Sequence, residues 1–277
     1  MNKKVTIFTV SYDKDLEFLK YNLKSIKKYC QGYHKNIVLL DDNDRDCEKT
    51  REYLHEIGQP YFFKKGSKHI KHGYVRQQYI KFFCDQYMPE NAEFVCHVDS
   101  DNIFYKNHSP EIWFKNEKPT MLRTPYELIF RNLNKKGEST CAFERWRDLT
   151  SEAIGIDVDC EYMRGMPFVY PIQLFKECRE HIEETHKCSF LDYLKDKETI
   201  SEYNILGAYA YHFKKDYFHW VTEPLSGKKN ERKKYMDIVK IKWDNMKHYS
   251  SRELDQPKRY IDLSEDNNEV DKLFNNE

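Results

Sequence analysis

The stretch Glu93–Tyr105, EFVCHVDSDNIFY, is the part of this sequence that decides the fold. It opens with the apolar run Phe94–Val98, whose length and β-branched content predict a buried strand. The run ends at Asp99, Ser100 and Asp101, so two carboxylates would stand at the carboxyl edge of a sheet, where open α/β sheets bind ligands. Two oxygen ligands this close suit Mg²⁺ or Mn²⁺. The alternative is a pair of solvated turn residues, since turns favour Asp.

The composition narrows the classes of partner. The chain has 277 residues, enough for one large α/β domain or two small ones. Lys plus Arg and Asp plus Glu number 46 each, so the net charge is zero and no global field favours nucleic acid or an anionic membrane. The eight Cys are scattered without a Cys-x-x-Cys pair, which disfavours a zinc site. Cys84 and Cys96 lie in apolar runs and are predicted to be buried thiols.

The N-terminal run does not have the pattern of a targeting segment. Val5–Val10 is too short for a signal peptide, and no small-residue cleavage site follows it. No segment approaches the roughly 18 apolar residues of a membrane span. We therefore expect a cytoplasmic chain with no membrane span.

The N-terminal region predicts a βαβ unit. Val5–Val10 and Asn36–Leu40 have the composition of buried strands, and between them Leu16, Leu19, Leu23 and Ile26 recur at helical spacing. Strand, helix and strand within about 40 residues is typical of a parallel sheet. Asp13 or Asp15 is expected to cap this helix, which should end near Tyr29.

Two polar segments of this region would suit a nucleotide. The second strand ends in Asp41–Asp44, and acidic residues at this position of nucleotide folds bind ribose or a base. Lys64–Arg76 is a basic, glycine-containing stretch that would neutralise a diphosphate. A solvated turn and a solvated loop are the respective alternatives.

The second half shows fewer regular patterns. Phe168–Pro171 predicts a strand, Ile172–His186 an amphipathic helix, and Thr199–His212 a helix capped by Ser201. Residues 131–160 are polar and show no clear periodicity, and Lys135–Gly137 is the expected flexible point. These patterns predict one domain over residues 1–225, in which a nucleotide-binding half (1–105) and an acceptor half (106–225) share one sheet. A basic then acidic extension follows over 226–277.

Four segments, in this order, resemble one known family. They are Ser11–Leu16 with Ser25 and Ile26 beyond it, Gly73–Lys81, His97–Asp101, and Ser201–Tyr209. The family comprises bacterial and viral glycosyltransferase-like proteins with the nucleotide-diphospho-sugar transferase (GT-A) fold, and the resemblance covers roughly residues 5–220. The chain departs from the family pattern at Asn204–Leu206 and over 131–160. Its wealth of aromatic residues, Lys and Asn also resembles proteins of large algal viruses, which encode transferases for capsid glycans, including one that uses xylose.

The resemblance implies a fold, a cofactor and two substrates. The fold would be α/β, a Rossmann-like, mostly parallel sheet flanked by helices, with the Asp-x-Asp motif at its centre. The cofactor would be Mn²⁺ or Mg²⁺, the donor a uridine diphospho-sugar, with xylose as one candidate sugar, and the acceptor a glycan hydroxyl. Such an enzyme needs no nucleic-acid partner.

Roles follow for individual side chains. We expect Asp101 to bind the metal directly, Asp99 to reach the ribose or the metal through water, and His219, in preference to His212, to be the third ligand. An inverting reaction needs a carboxylate to accept the proton of the attacking hydroxyl, and Glu202 is the candidate. The reserve candidates are Asp157, Asp159 and Glu161. The expected nucleotide-sugar contacts are Thr9, Tyr12, Asp41, Arg76, Gln77, Lys81, Asp99, Ser100 and Lys228, or Lys229 in place of Lys228.

Two other functions remain open from the sequence. A sugar nucleotidyltransferase would share the sheet and the carboxylates, but it usually has a Gly-rich basic signature after the first strand, and Ser11–Asp15 contains no Gly. A carbohydrate-binding protein without catalytic activity would use the same aromatic side chains, but it would not need Asp99 and Asp101.

Overall fold

A computed structural model describes residues 3–41, 47–226, 229–243 and 245–248. The strands within these ranges are β1 (Val5–Ser11), β2 (Lys35–Asp41), β3 (Tyr61–Lys64), β4 (Phe94–His97), β5 (Asn102–Phe104), β6 (Phe114–Lys115), β7 (Lys118–Pro125), β8 (Cys160–Glu161), β9 (Phe168–Pro171), β10 (His219–Thr222) and β11 (Met246–His248). The α-helices are α1 (Leu16–Tyr29), α2 (Glu48–Glu56), α3 (Gly73–Phe82), α4 (Tyr126–Lys136), α5 (Cys141–Ile154), α6 (Gln173–His186), α7 (Phe190–Leu194), α8 (Glu202–Phe213) and α9 (Lys229–Trp243).

A five-stranded sheet forms the centre of the fold. Its strand order is β3-β2-β1-β4-β9, with the first four strands parallel and β9 antiparallel to β4. All seven residues of β1 are buried, as expected for a central strand of a parallel sheet covered on both faces. The predicted α/β class with a mostly parallel sheet is therefore confirmed.

Alternate residues of the strands bury against helices on opposite faces. On one face, Val38 and Leu40 of β2 pack with Leu19 and Leu23 of α1. On the other face, Phe8 and Val10 of β1 join a larger core with residues of α3, α6 and α8. This division follows from the two-residue period of a strand, which places neighbouring side chains on opposite sides of the sheet.

The order of the strands creates a crevice beside β1. The chain moves from β1 to β2 and β3 on one side and then returns to place β4 on the other side. The carboxyl ends of β1 and β4 are therefore followed by connections that leave in different directions. In open α/β sheets, such a switch point is the place where ligands bind.

A second sheet extends this body beyond β9. Its strands have the order β10-β7-β6, and β8 pairs with the far end of β7. The helix α8 packs against α3, α5, α6 and β8, and the nine residues Glu202–Ala210 are all buried. A helix that is buried all round belongs to the core, and α8 accordingly contributes to the largest hydrophobic cluster.

Two regions differ from what the sequence patterns indicated. Residues 131–160 contain most of α4 and the whole of α5. The apolar spacing of α4 starts at Tyr126, before that stretch, and the buried residues of α5, Thr150, Ala153 and Ile154, lie only at its C-terminal end. The second difference concerns the predicted cap of α1, which neither aspartate provides. The Asp13 carboxylate instead accepts from the backbone N–H of Thr50, 2.8 Å away, at the start of α2.

Other predictions were confirmed. Strands β1, β2, β4 and β9 and helices α1, α6 and α8 lie where the periodicity placed them, and the Ser201 side chain caps α8 by accepting from Asn204 N–H. Cys84 and Cys96 are buried thiols. In the ranges that the structure describes, no helix is both long and apolar enough to cross a bilayer. Residues 249–277 lie outside those ranges.

The absence of a side chain at Gly207 lets α8 pack closely against Tyr162, the residue after β8. Replacing this glycine tests the packing. A Cβ at this position would lie 2.7 Å from Tyr162 Cγ and closer still to its Cβ. We expect Gly207→Ala to lower the free energy of unfolding by about 3 kcal/mol, because overpacking outweighs the higher helix propensity of Ala. Urea denaturation measures this loss. Gly73→Ala is the control, since its Cβ would meet open space at the start of α3. Equal stability of the two variants would contradict the packing described.

Candidate functional site

Loops after β1 and β4 bring three aspartates together at the crevice. Asp99, Ser100 and Asp101 follow β4 directly, and Asp15 lies at the start of α1, just beyond the end of β1. The Ser100 hydroxyl donates to Asp15 Oδ2 across 3.2 Å and so joins the two loops. Asp99 and Asp101 are both close enough to Asp15 to raise its pKa. The crevice is therefore acidic at the point where the strand order reverses.

A buried lysine holds Asp99 in place. The Lys81 ammonium of α3 lies 2.7 Å from Asp99 Oδ1 and 2.7 Å from Glu202 Oε1. The Tyr203 hydroxyl also donates to Asp99 Oδ1, at 3.1 Å. The side chains of Lys81 and Glu202 are only 5% and 3% exposed. Lys81 thus ties the end of β4 to the first turn of α8.

The electrostatics of this pair follow from burial and proximity. Burial disfavours the charged form of Lys81, but Asp99 and Glu202 together overcome that effect and raise the pKa of the lysine. Burial raises the pKa of Glu202, and the Lys81 ammonium opposes this shift. With its amide nitrogen turned toward Glu202, Gln78 donates to Oε1 at 2.7 Å. One ammonium between two carboxylates leaves net negative charge at the crevice.

Two asparagines hold Asp101, the second aspartate of the Asp-x-Asp motif. Asn102 Nδ2 donates to Asp101 Oδ1 at 3.1 Å, and Asn22 Nδ2 of α1 donates to the Asn102 carbonyl at 2.6 Å. Both asparagines are buried, and the carboxamide oxygen of Asn102 has no hydrogen-bond partner in the described part of the chain. The position of Asp101 is therefore set by α1 as well as by β4.

Asp15 is a residue of the crevice that the sequence analysis did not place there. It was interpreted as a helix cap, but its side chain makes no capping bond and turns toward Ser100 instead. Burial raises its pKa to about 6; the Ser100 bond opposes this, and Asp101 and Asp99 add to it. A signal existed in the sequence, because an Asp-x-Asp pair, Asp13 to Asp15, follows the first strand as another follows the fourth.

The carboxyl end of β2 holds a second polar cluster. Asp41 Oδ2 lies 3.2 Å from Arg76 Nη1, and the Ser67 hydroxyl donates to Asp41 Oδ1 at 2.5 Å. Arg76 also donates from Nε and Nη2 to the Ile70 carbonyl. The structure thus brings together Asp41 and Arg76, two of the predicted nucleotide contacts. Asp42–Asp44 lie outside the described residues.

Other predicted nucleotide contacts lie in varied positions. Thr9 is fully buried within β1, whereas Tyr12 is 37% exposed in the loop that follows. Gln77 is half-buried on α3, and its neighbour Gln78 is the glutamine that faces Glu202. Lys228 lies outside the described residues, as does the side chain of Lys229.

The two predicted histidine ligands are not brought to the aspartates. His219 starts β10 opposite Thr120 in the second sheet, where burial and Lys115 lower its pKa. His212 lies in the last turn of α8, about 15 Å along the helix axis from Glu202 at a rise of about 1.5 Å per residue. A third ligand from either histidine remains a prediction without a supporting contact.

The reserve acids lie near β8. Glu161 is buried and pairs with Arg164 Nε at 2.7 Å, and burial raises its pKa to about 7. Asp159 is 74% exposed beside Arg123. Asp157 lines a separate surface depression with residues of α5. All three therefore lie with the second sheet and α5.

A broad depression of about 630 Å³ lies elsewhere, between Phe94 and Pro171. Phe94 is the first residue of β4, so this depression opens at the amino edge of the parallel strands, opposite the aspartates. Parallel α/β sheets bind ligands at the carboxyl edge, and we therefore assign the site to the crevice.

No protein-family model matches the sequence, and no curated protein matches it.

Replacing Lys81 tests the buried cluster. Lys81→Met leaves Asp99 and Glu202 without their ammonium partner, and breaking such a buried pair costs about 3 kcal/mol or more. The loss should be smaller at pH 5 than at pH 8, because the raised pKa of Glu202 lets it take up a proton in the folded state at the lower pH. Urea denaturation at both pH values measures the difference. Lys176→Met, at an exposed pair with Glu180, should cost little, and equal losses would contradict the assignment.

Asp15→Asn should stabilise the fold in a pH-dependent way. The pKa of Asp15 is about 6 in the folded chain and ordinarily 3.8, so the folded state binds the proton more tightly. The wild type therefore loses stability as pH rises from about 4 through 6, and the Asn variant does not. We expect the variant to be more stable by about 1–2 kcal/mol at pH 8 and equal to wild type at pH 4.

The control for this measurement is Asp148→Asn, at an exposed carboxylate on α5. It should show no such pH dependence. A pH-independent difference between Asp15→Asn and wild type would refute a raised pKa at Asp15.

Proposed function

We propose that this chain is a metal-dependent glycosyltransferase with the GT-A fold. It would move a sugar from a nucleoside diphosphate, most simply a uridine diphospho-sugar, to a hydroxyl of a glycan acceptor. The observation that carries the proposal is the acidic crevice at the switch point, where Asp99 and Asp101 follow β4 and Asp15 follows β1. Carboxylates held together against their own repulsion are typical of functional sites.

The cluster at the end of β2 supports a nucleotide as the ligand. Asp41 is held by Arg76 and Ser67 one strand away from the crevice. In doubly wound sheets, an acidic residue in this region binds the ribose hydroxyls. A nucleoside bound over the ends of β1 and β2 would direct its diphosphate toward the aspartates of β4.

The side chains of the crevice fit a divalent cation. Mg²⁺ and Mn²⁺ prefer oxygen ligands and are usually held by one or two carboxylates together with substrate phosphates. Asp101 would be the direct ligand, and the unpartnered carboxamide oxygen of Asn102 adds a neutral oxygen beside it. Among the described residues, no group of three or more His, Cys, Asp and Glu side chains is arranged to hold a metal by itself. The donor phosphates would therefore have to complete the coordination.

The protein's own groups would fix the diphosphate in the reacting position. A bound divalent cation would neutralise the charge that develops on the leaving diphosphate. Lys81 and Tyr203 both bind Asp99 Oδ1, so the orientation of this carboxylate is set before the donor binds. Preorganisation of this kind lowers the barrier, because no rearrangement is needed as charge develops.

The burial of Glu202 favours a positioning role for this residue. A general base must lie within hydrogen-bond reach of the acceptor hydroxyl. The carboxylate of Glu202 is instead enclosed by Lys81 and Gln78. Catalysis by Glu202 as the base, and with it inversion at the sugar, therefore remains a prediction that the burial of the side chain does not support.

Release of diphosphate from a panel of uridine diphospho-sugars, with Mn²⁺ or with a chelator, tests the proposal. We expect turnover that requires the metal and that falls more than a hundredfold in Asp101→Asn. Even residues that merely orient a metal ligand cost about 10- to 100-fold when they are replaced. Asp148→Asn, on the exposed face of α5, is the matched control and should retain wild-type turnover.

Three results would count against a transferase. Failure to bind any nucleotide-sugar in calorimetry would remove the proposal. Binding without metal-dependent turnover would favour a carbohydrate-binding protein. Formation of a uridine diphospho-sugar from uridine triphosphate and a sugar 1-phosphate would favour a nucleotidyltransferase.

A further inference from the structure

A cavity separate from the aspartate crevice lies at the carboxyl ends of β7 and β10. Its volume is about 470 Å³. The charged residues that line it are Arg123, Glu127, Asp159, Glu223 and Glu231. Because β7 and β10 are parallel, Arg123 and Thr222 reach this end of the second sheet side by side. The cavity is therefore built by strand ends, as the crevice is in the first sheet.

Two of the lining side chains are held in fixed orientations. Arg123 Nε donates to the Thr222 hydroxyl at 2.9 Å, and its guanidinium lies 3.7 Å from the centre of the Tyr211 ring. The Thr124 hydroxyl donates to Glu223 Oε2 at 2.8 Å. Polar groups positioned in this way by their neighbours are typical of a preformed ligand site.

The charges of the cavity select the kind of ligand. Of the described residues, four carboxylates and one guanidinium face the space, so this part of the lining is net negative and disfavours a diphosphate. Carboxylates accept hydrogen bonds from hydroxyl groups, and Arg123 donates to ring and hydroxyl oxygens. Pro125, Pro224 and Leu225 add apolar surface suited to the C–H faces of a sugar ring. These features together suit a neutral, polyhydroxylated molecule.

The backbone connects this cavity to the aspartate crevice. Thr124 of β7 pairs with Glu161 of β8, and the next N–H along the chain, that of Tyr162, donates to Asn204 Oδ1 at 2.7 Å. Asn204 lies in the first turn of α8, the turn that presents Glu202 to Lys81. The short segment Cys160–Tyr162 therefore contacts both β7 at the cavity and the first turn of α8.

From these observations we infer that the cavity between Arg123, Asp159 and Glu223 binds the acceptor as a neutral saccharide. The inference rests on the proposed transferase function, since a saccharide bound here is an acceptor only if a donor binds at the aspartates. It assigns the two substrates to different charge environments. The anionic donor would bind at the crevice with its cation, and the neutral acceptor would bind at the carboxylates of the second sheet.

The test measures saccharide binding without any donor. Methyl glycosides of xylose, glucose, galactose, mannose, fucose and N-acetylglucosamine are titrated into the full chain and followed by saturation-transfer NMR and calorimetry. We expect at least one of them to bind, with Kd raised about tenfold in Glu223→Gln and in Asp159→Asn, since each variant loses a hydrogen bond from a sugar hydroxyl to a charged acceptor. The amide oxygen introduced by Glu223→Gln can still accept from Thr124, so the fold should persist; circular dichroism checks it.

The control variant is Glu198→Gln, at an exposed carboxylate that pairs with Arg145, and its Kd should equal that of wild type. The inference is overturned if no glycoside binds, or if Kd is the same in wild type and in both cavity variants. Saccharide binding at this cavity in a chain that binds no nucleotide-sugar would overturn the acceptor assignment through failure of the proposed function. Metal-dependent donor turnover in a chain that binds no glycoside would overturn the acceptor site and leave the proposed function standing.

Discussion

The ammonium of Lys81, placed between Asp99 and Glu202, is the interaction on which the rest of the structure depends. It joins three elements that are distant in sequence: α3, the end of β4 and the first turn of α8. Two carboxylates brought this close would repel each other, and without the lysine the buried Glu202 would favour its protonated form. The lysine therefore makes it feasible for a carboxylate motif to follow a buried strand directly.

The clustering of carboxylates at the crevice lowers the stability of the fold at Asp15. Burial and two neighbouring aspartates raise the pKa of Asp15 to about 6, so its ionisation at neutral pH lowers the stability of the folded chain. Stability alone would favour an uncharged side chain at this position. In the proposed function, the divalent cation and the donor bound at the crevice would offset this cost. The neutral saccharide proposed for the second sheet carries no charge that these carboxylates would have to neutralise.

Most of the central sheet could be predicted, because its strands are short apolar runs and α1 has a clean helical period. The α4 and α5 region could not be predicted in the same way. The buried residues of α5, Thr150, Ala153 and Ile154, all lie in its last five positions, so the apolar stripe is too short to give a periodic signal. The role of Gly207 could not be predicted either. Glycine has a low helix propensity, and its presence in α8 is explained only by Tyr162, which packs against it.

The sequence by itself determined the parallel sheet and the location of Asp99 and Asp101 at its carboxyl edge, because strand periodicity and the chain order of the motif are local properties. Only the tertiary structure decided what surrounds these aspartates. In the folded chain, Asp15 is a third acid of the crevice and not the expected helix cap. Glu202 is enclosed beside Lys81. These contacts join residues about 85 to 121 positions apart. No local pattern encodes them, because burial and Coulomb interactions depend on distances that only the folded chain sets.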